Sequence, residues 1–139
     1  MHLDRLSPLP GAADALGQLV EAGIYLGVVS NKTGRLLRAE AKHLGWDSHF
    51  GQIIGAGDAQ RDKPAPDPVV MALRDSSVEP GLTVWFAGDA EIDLECAQNS
   101  GCIPVLVRPE APAPGEFKVA QPTLHFRTPQ MLSNHAKNL

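Results

Sequence analysis

Apolar positions along the chain recur with two alternating periods. In GAADALGQLVEAG (11–23), Leu16, Leu19, Val20 and Gly23 fall at helical spacing and the segment stops on a glycine. IYLGVVS (24–30) is a nearly unbroken apolar run, the pattern of a strand covered on both faces. The helical period returns in TGRLLRAEAKHLG (33–45), with Leu36, Leu37 and Leu44 on its apolar side, and QIIGAG (52–57) reads as a weaker strand. KPAPDPVVMALRDS (63–76) opens with prolines that suit a first helical turn and not a helix interior. There follow a strand LTVWFAG (82–88), a helix IDLECAQNSG (92–101), a strand CIPVLVR (102–108), a short strand PTLHF (122–126) and a terminal helix TPQMLSNHAKN (128–138).

Helices and strands that alternate through short connections predict an α/β fold, a doubly wound parallel sheet between two layers of helices. The 139 residues suffice for one domain with a buried core. A Pro-rich stretch over 109–121, beginning PEAPAPGEF, reads as a surface loop. In open parallel sheets ligands bind beyond the carboxyl ends of the strands, so polar residues at those ends carry the functional question.

Composition narrows the answer. A formal net charge of −4, with twelve basic residues spread along the chain, argues against nucleic-acid binding, which rests on clustered Lys and Arg. No apolar stretch approaches the ~20 residues of a membrane span. MHLDRLSPLPG has neither the basic start nor the apolar centre of a secretory signal. Cys96 and Cys102 lack the CxxC spacing of a redox or zinc pair, and Cys96 is expected in the core. A reduced, cytoplasmic protein is the expectation.

Three strand ends carry chemistry. Ser30 follows the apolar run in VVSNK, Lys63 precedes the proline-fixed helix start in DKPAPDP, and Asp89 and Asp93 stand in FAGDAEID. On a parallel sheet all three would meet at one edge. Each has a plain alternative: Ser30 as a helix cap, Lys63 as a solvated surface lysine, and Asp89 or Asp93 as a carboxylate favoured at a helix N-terminus. Together, a hydroxyl, an ammonium and a carboxylate pair are what a phosphoryl-transfer site with a divalent cation requires. Such transfer depends mostly on positioning and electrostatics.

These motifs resemble those of the haloacid dehalogenase superfamily, in particular its phosphoglycolate-phosphatase-like branch. LGVVSNK is similar to the family's second motif, DKPAPDPVVMAL to its third, and VWFAGDAEIDLECAQNSGC to its fourth, over roughly residues 8–108. The resemblance implies a Mg²⁺-dependent phosphatase of small phosphorylated metabolites. By it, Ser30 and Asn31 would bind the phosphoryl group and Lys63 would offset its charge. Asp89 would ligate Mg²⁺, and Asp93 would support the metal or its waters. Glu91 matches no family position expected to be a ligand.

The family's first motif, a strand ending in DxDGT whose first Asp is the nucleophile, is not found. Asp4 has no preceding strand and no Gly-Thr after it, and Asp14 and Glu21 fall within a helical pattern. The expectation is therefore a carboxyl-terminal core lacking the nucleophile-bearing central strand and the cap, taken from a longer protein and without turnover as it stands. Self-association to cover the gap is a further expectation. The competing reading is a non-catalytic phosphate- or metal-binding or interaction module. A phospho-receiver domain is disfavoured, because there the acidic pair comes first.

Overall fold

The computed structural model describes residues 11–139, so that Asp4 lies outside the described residues. Among the described residues are five α-helices, α1 (Ala12–Glu21), α2 (Gly34–His43), α3 (Asp67–Ala72), α4 (Glu91–Ser100) and α5 (Pro129–Lys137), and a 3-10 turn at Asp47–His49. Five strands alternate with the α-helices except for the last two, which are consecutive. The strands are β1 (Gly27–Thr33), β2 (Gln52–Ala56), β3 (Trp85–Gly88), β4 (Ile103–Val107) and β5 (Leu124–Phe126). All pairings are parallel: β1 with β2, β3 with β4, and β4 with β5.

Two-residue strand periodicity sends successive side chains to opposite helical layers. Val28, Ala87 and Val105 join Leu16 and Leu19 of α1, Leu37 of α2 and Leu132 of α5 in one buried cluster. Their neighbours Val29 and Phe86 join Val69 of α3 and Cys96 and Ala97 of α4 in another. Both faces are covered, which is why the strands read as continuous apolar runs. Fully burying a side chain such as Leu16, which is 1% exposed, contributes ~1.5–3 kcal/mol.

Glycines end α1 and α2 as the sequence implied. Gly23 (φ 77°) and Gly45 (φ 74°) take the left-handed conformation open to a residue without Cβ. Around each, two backbone bonds close the helix: Gly23 N–H to Val20 O with Ile24 N–H to Leu19 O, and Gly45 N–H to Lys42 O with Trp46 N–H to Ala41 O.

Several boundaries differ from expectation. The first strand begins at Gly27, not Ile24, and runs on to Thr33. The helix expected over 63–76 shrinks to Asp67–Ala72. Residues 63–66 form a turn, with Ala65 N–H bonded to Asp62 O, and Pro68 falls in the first helical turn, where its missing N–H costs nothing. Leu36 is 56% exposed and Val20 39%, so each lies off the buried stripe to which its spacing assigned it.

The described strands form two separate sheets, β1–β2 and β3–β4–β5. An apolar cavity of about 450 Å³ separates them, lined by Leu26, Gly27 and Val29 on one side and Val84, Trp85 and Phe86 on the other. This is the place where the sequence left a central strand unaccounted for, and β1 and β3 have not closed against each other. Elsewhere the halves are joined. On the α1/α5 side, Gln18 Oε1 accepts bonds from Gln130 Nε2 (2.9 Å), Ser133 Oγ (3.3 Å) and Lys137 Nζ (3.2 Å). Among the described residues no helix is long and apolar enough to cross a membrane.

Candidate functional site

The site is assembled from loops at the carboxyl ends of β1, β2 and β3. On β1 the ladder to β2 is regular through Val29–Ile54 and resumes at Thr33–Ala56, so the segment between is bulged. Bulges re-aim side chains at sheet edges. This one buries Ser30 (4% exposed), whose Oγ accepts a bond from Lys32 N–H at 3.1 Å, and leaves Asn31 exposed. Ser30 does not cap α2, whose N-cap is Thr33.

The chain leaves the bulge through close packing of two glycines. A Cβ on Gly55 would lie 2.4 Å from Gly34 Cα and 2.5 Å from Lys32 O. Asp58 braces the same corner, accepting from Gly55 N–H (2.8 Å) and from Arg38 Nη1 (2.7 Å). Burial pushes the Asp58 carboxyl up, but the bonds from Arg38 and Gly55 more than offset this and leave its pKa below the ordinary value.

Lys63 is not a solvated lysine. Its side chain is 1% exposed and that of Asp93 is 0%, and Nζ lies 2.7 Å from Asp93 Oδ1. The other oxygen, Oδ2, accepts from Asp89 N–H (3.2 Å) and Ala90 N–H (3.3 Å). Asp93 thus does two things at once: it satisfies the amides of the turn that leads into α4 and holds a buried ammonium. Buried charges need such pairing, and charge-assisted bonds of this kind are the strong ones. The carboxylate also fills the space beside Gly88, where an added Cβ would lie 2.3 Å from Asp93 Cγ.

Two residues that the sequence reading left without a role complete this contact. Asn99 Nδ2 donates to Pro64 O at 2.9 Å and Cys96 Sγ to Ala65 O at 3.4 Å. With Asp93 they stand three residues apart on α4, hence on one face, and together they dock the Lys63–Ala65 turn. The signal was present as D-x-x-C-x-x-N, but its target lies thirty residues away. Burial first, with Lys63 opposing and Asp93 adding, pushes the Cys96 thiol up to about 12, so this cysteine is an inert core group, as expected.

Asp89, one residue past β3, is exposed beside the buried pair. Among the described residues no three His, Cys, Asp or Glu side chains gather where they would hold a metal ion. The donor chemistry still fits Mg²⁺, because Asp89 offers a hard carboxylate oxygen and Mg²⁺ keeps several waters while using one or two carboxylates. Asp14 and Glu21 are exposed on α1.

The Pro-rich segment is pinned at this edge. Arg108 bonds Glu116 through both terminal nitrogens (2.6 Å each) and lies over the Phe117 ring at 5.2 Å. Phe117 and Ala120 are buried with Leu94 and Leu106. Glu91 Oε2 accepts the amides of Lys118 (2.7 Å) and Val119 (2.9 Å).

The surroundings of these residues can be compared with known proteins. The sequence pattern of the haloacid dehalogenase-like hydrolase family matches residues 1–107. Phosphoglycolate phosphatase of Escherichia coli K12 is 33% identical over 93 residues, covering 67% of this chain and 36% of that protein. The chain thus spans about a third of the length of the curated relatives it matches. Among solved structures, a HAD-superfamily hydrolase from Ehrlichia chaffeensis superposes with a TM-score of 0.79 at 32% identity, over 99% of this chain and 63% of the other. A putative phosphoglycolate phosphatase from Lactobacillus delbrueckii gives 0.80 at 26% identity, over 93% and 53%. A putative β-phosphoglucomutase from Thermotoga maritima also gives 0.80, at 19% identity over 94% of this chain and 60% of the other, a likeness of fold alone. With the family pattern matched over residues 1–107 and the fold to match, the chain belongs to the haloacid dehalogenase-like hydrolases.

Proposed function

We propose that this chain forms the carboxyl-terminal core of a Mg²⁺-dependent phosphatase of small phosphorylated metabolites, similar in class to phosphoglycolate phosphatases. The observation that carries the reading is the buried Lys63–Asp93 pair, 2.7 Å apart, set against the turn that exposes Asp89. Asp93 offsets the cost of burying the ammonium, and an anionic phosphoryl group is the further ligand that such a preorganised charge suits. In this reading Ser30 and Asn31 hold phosphoryl oxygens, Lys63 offsets their charge, and Asp89 ligates the metal. Asp93 keeps Lys63 in place and supports the metal's waters. Mg²⁺, when bound, neutralises charge on the phosphoryl oxygens. Free, buried Cys96 and Cys102 support a reducing, cytoplasmic setting.

The nucleophile is assigned to no described residue, so the chain alone is expected to turn over negligibly. The same reading includes self-association that shields the cavity between β1 and β3, which sedimentation of the purified chain would reveal as a dimer and refute as a monomer. Two measurements test the main reading. Calorimetric titration of inorganic phosphate in the presence of Mg²⁺ should show binding that Asp89→Asn abolishes. Hydrolysis of an aryl phosphate should stay at the level of the same variant. Absence of any Mg²⁺ or phosphate binding would refute the reading, and Mg²⁺-dependent turnover lost in Asp89→Asn would overturn the expected inactivity.

A further inference from the structure

The segment 109–121 runs from the end of β4 toward β5 and carries three prolines, yet it is held at both ends of its course. At its start, Arg108 Nε donates to Glu110 O (3.0 Å) and its two terminal nitrogens grip Glu116. Glu116 Oε1 also accepts from Ala113 N–H at 3.0 Å, which curls the segment back on itself. Its far half is anchored by Phe117 and Ala120, buried at 4% and 2% against Leu94 and Leu106.

The contact that matters for the site is the one from Glu91. This residue lies two positions after Asp89 and two before Asp93, at the first position of α4. A carboxylate there has the amides of its own helix within reach. Instead its Oε2 takes two consecutive amides of another segment, those of Lys118 and Val119. One oxygen receiving adjacent N–H groups fixes both the distance and the orientation of that backbone, and each bond to an ionised acceptor is stronger than a neutral one. The same turn is held from inside by Asp93, through the amides of Asp89 and Ala90. The turn at 88–93 is therefore clamped between a buried carboxylate and an outer segment. Leu106, beneath the outer segment, pairs across the sheet with Gly88 at the root of the turn.

We infer that Glu91 is a positioning residue, fastening the 109–121 strap to the turn that carries Asp89 and Asp93, so that the strap and the turn order together. This deepens the proposed function and rests on it for the role given to Asp89. It assigns the strap a part that a surface loop would not have: it is the outer wall that keeps Asp89 in one place. Loosening the wall lets the Asp89–Ala90 backbone sample positions in which the carboxylate no longer faces the cation.

Amide hydrogen exchange on the full 139-residue chain, measured without metal, tests the mechanical part. Glu91→Ala should accelerate exchange at Lys118 and Val119 at least tenfold, and at Asp89 and Ala90 several-fold, while amides of β4 keep their rates. Glu91→Gln, which keeps an acceptor oxygen, should recover most of the protection. Unchanged rates at 118 and 119 would overturn the fastening. Acceleration there without any at 89 and 90 would overturn the coupling. Calorimetry with Mg²⁺ alone then reads the functional part, with a several-fold weaker Kd in Glu91→Ala and near-native affinity in Glu91→Gln. A wild-type chain that binds no Mg²⁺ would sink the phosphatase reading, and the exchange rates would still decide the coupling.

Discussion

Replacing Lys63 by Met tests what the buried pair contributes. Methionine keeps an unbranched stem of similar length and removes the ammonium from a site where both side chains are at most 1% exposed. Breaking a buried pair by deleting one partner costs ~3–5 kcal/mol, because the other charge stays buried. Asp93 retains the amides of Asp89 and Ala90, which stabilise the carboxylate, so the lower end, about 3 kcal/mol, applies. Asp93→Asn should cost about as much, since it leaves the ammonium facing an amide. The double variant Lys63→Met/Asp93→Asn removes both charges, and its loss should fall short of the sum by ~2 kcal/mol. Urea unfolding followed by the fluorescence of Trp46 and Trp85 gives each free energy, with unchanged m-values confirming that the same surface is exposed. Strict additivity, or a Lys63→Met loss below ~1 kcal/mol, would show that the pair is not the buried ionic contact described.

Gly88→Ala places a methyl group 2.3 Å from the Asp93 carboxylate carbon, which two amides and Lys63 hold in place. A loss of ~1–3 kcal/mol in thermal or urea unfolding is expected, and an unaffected stability would mean that the turn is looser than it looks. Glu116 is depressed from 4.5 to about 2, chiefly by its bond from Arg108 and then by the Ala113 amide. A depressed carboxyl pKa adds stability above its ordinary value and loses it as pH falls through the folded one. The strap should therefore stay closed as pH drops below 4.5, with the Glu116 carboxyl titrating near 2 by NMR. A midpoint at 4.5 would refute the Arg108 clamp. Cys96, with its thiol pushed up to about 12, should resist alkylation at mildly alkaline pH in the native chain and react on unfolding.

The order and type of the elements were legible because a sheet covered on both faces leaves uninterrupted apolar runs, and helices ended by Gly23 and Gly45 announce their limits. The shortened α3 was not. Pro64 and Pro66 look like a helix start, but the backbone they stiffen is spent on the turn that delivers Lys63, a choice made by contacts from Asp93, Cys96 and Asn99 on α4. Leu36 and Val20, 56% and 39% exposed, show that spacing alone does not locate a buried stripe. The candidate site was legible as three motifs at strand ends. That Ser30 sits in a bulge, that Asp93 faces Lys63, and that Glu91 reaches across to Lys118 all depend on segments brought together from far along the chain. No local pattern encodes such pairings.

The division of the sheet has a kinetic consequence. Each half is nearly contiguous in sequence: β1 and β2 pair residues 25 apart, as in Gly27 with Gln52, whereas Gln18 meets Gln130 across 112 residues. Closing the longer loop costs ~1.3 kcal/mol more in chain entropy. The two halves should therefore collapse separately and early. The clasp between α1 and α5 would form last, as a late step in a slow docking phase. Weakening it should then speed unfolding while leaving the folding rate nearly untouched.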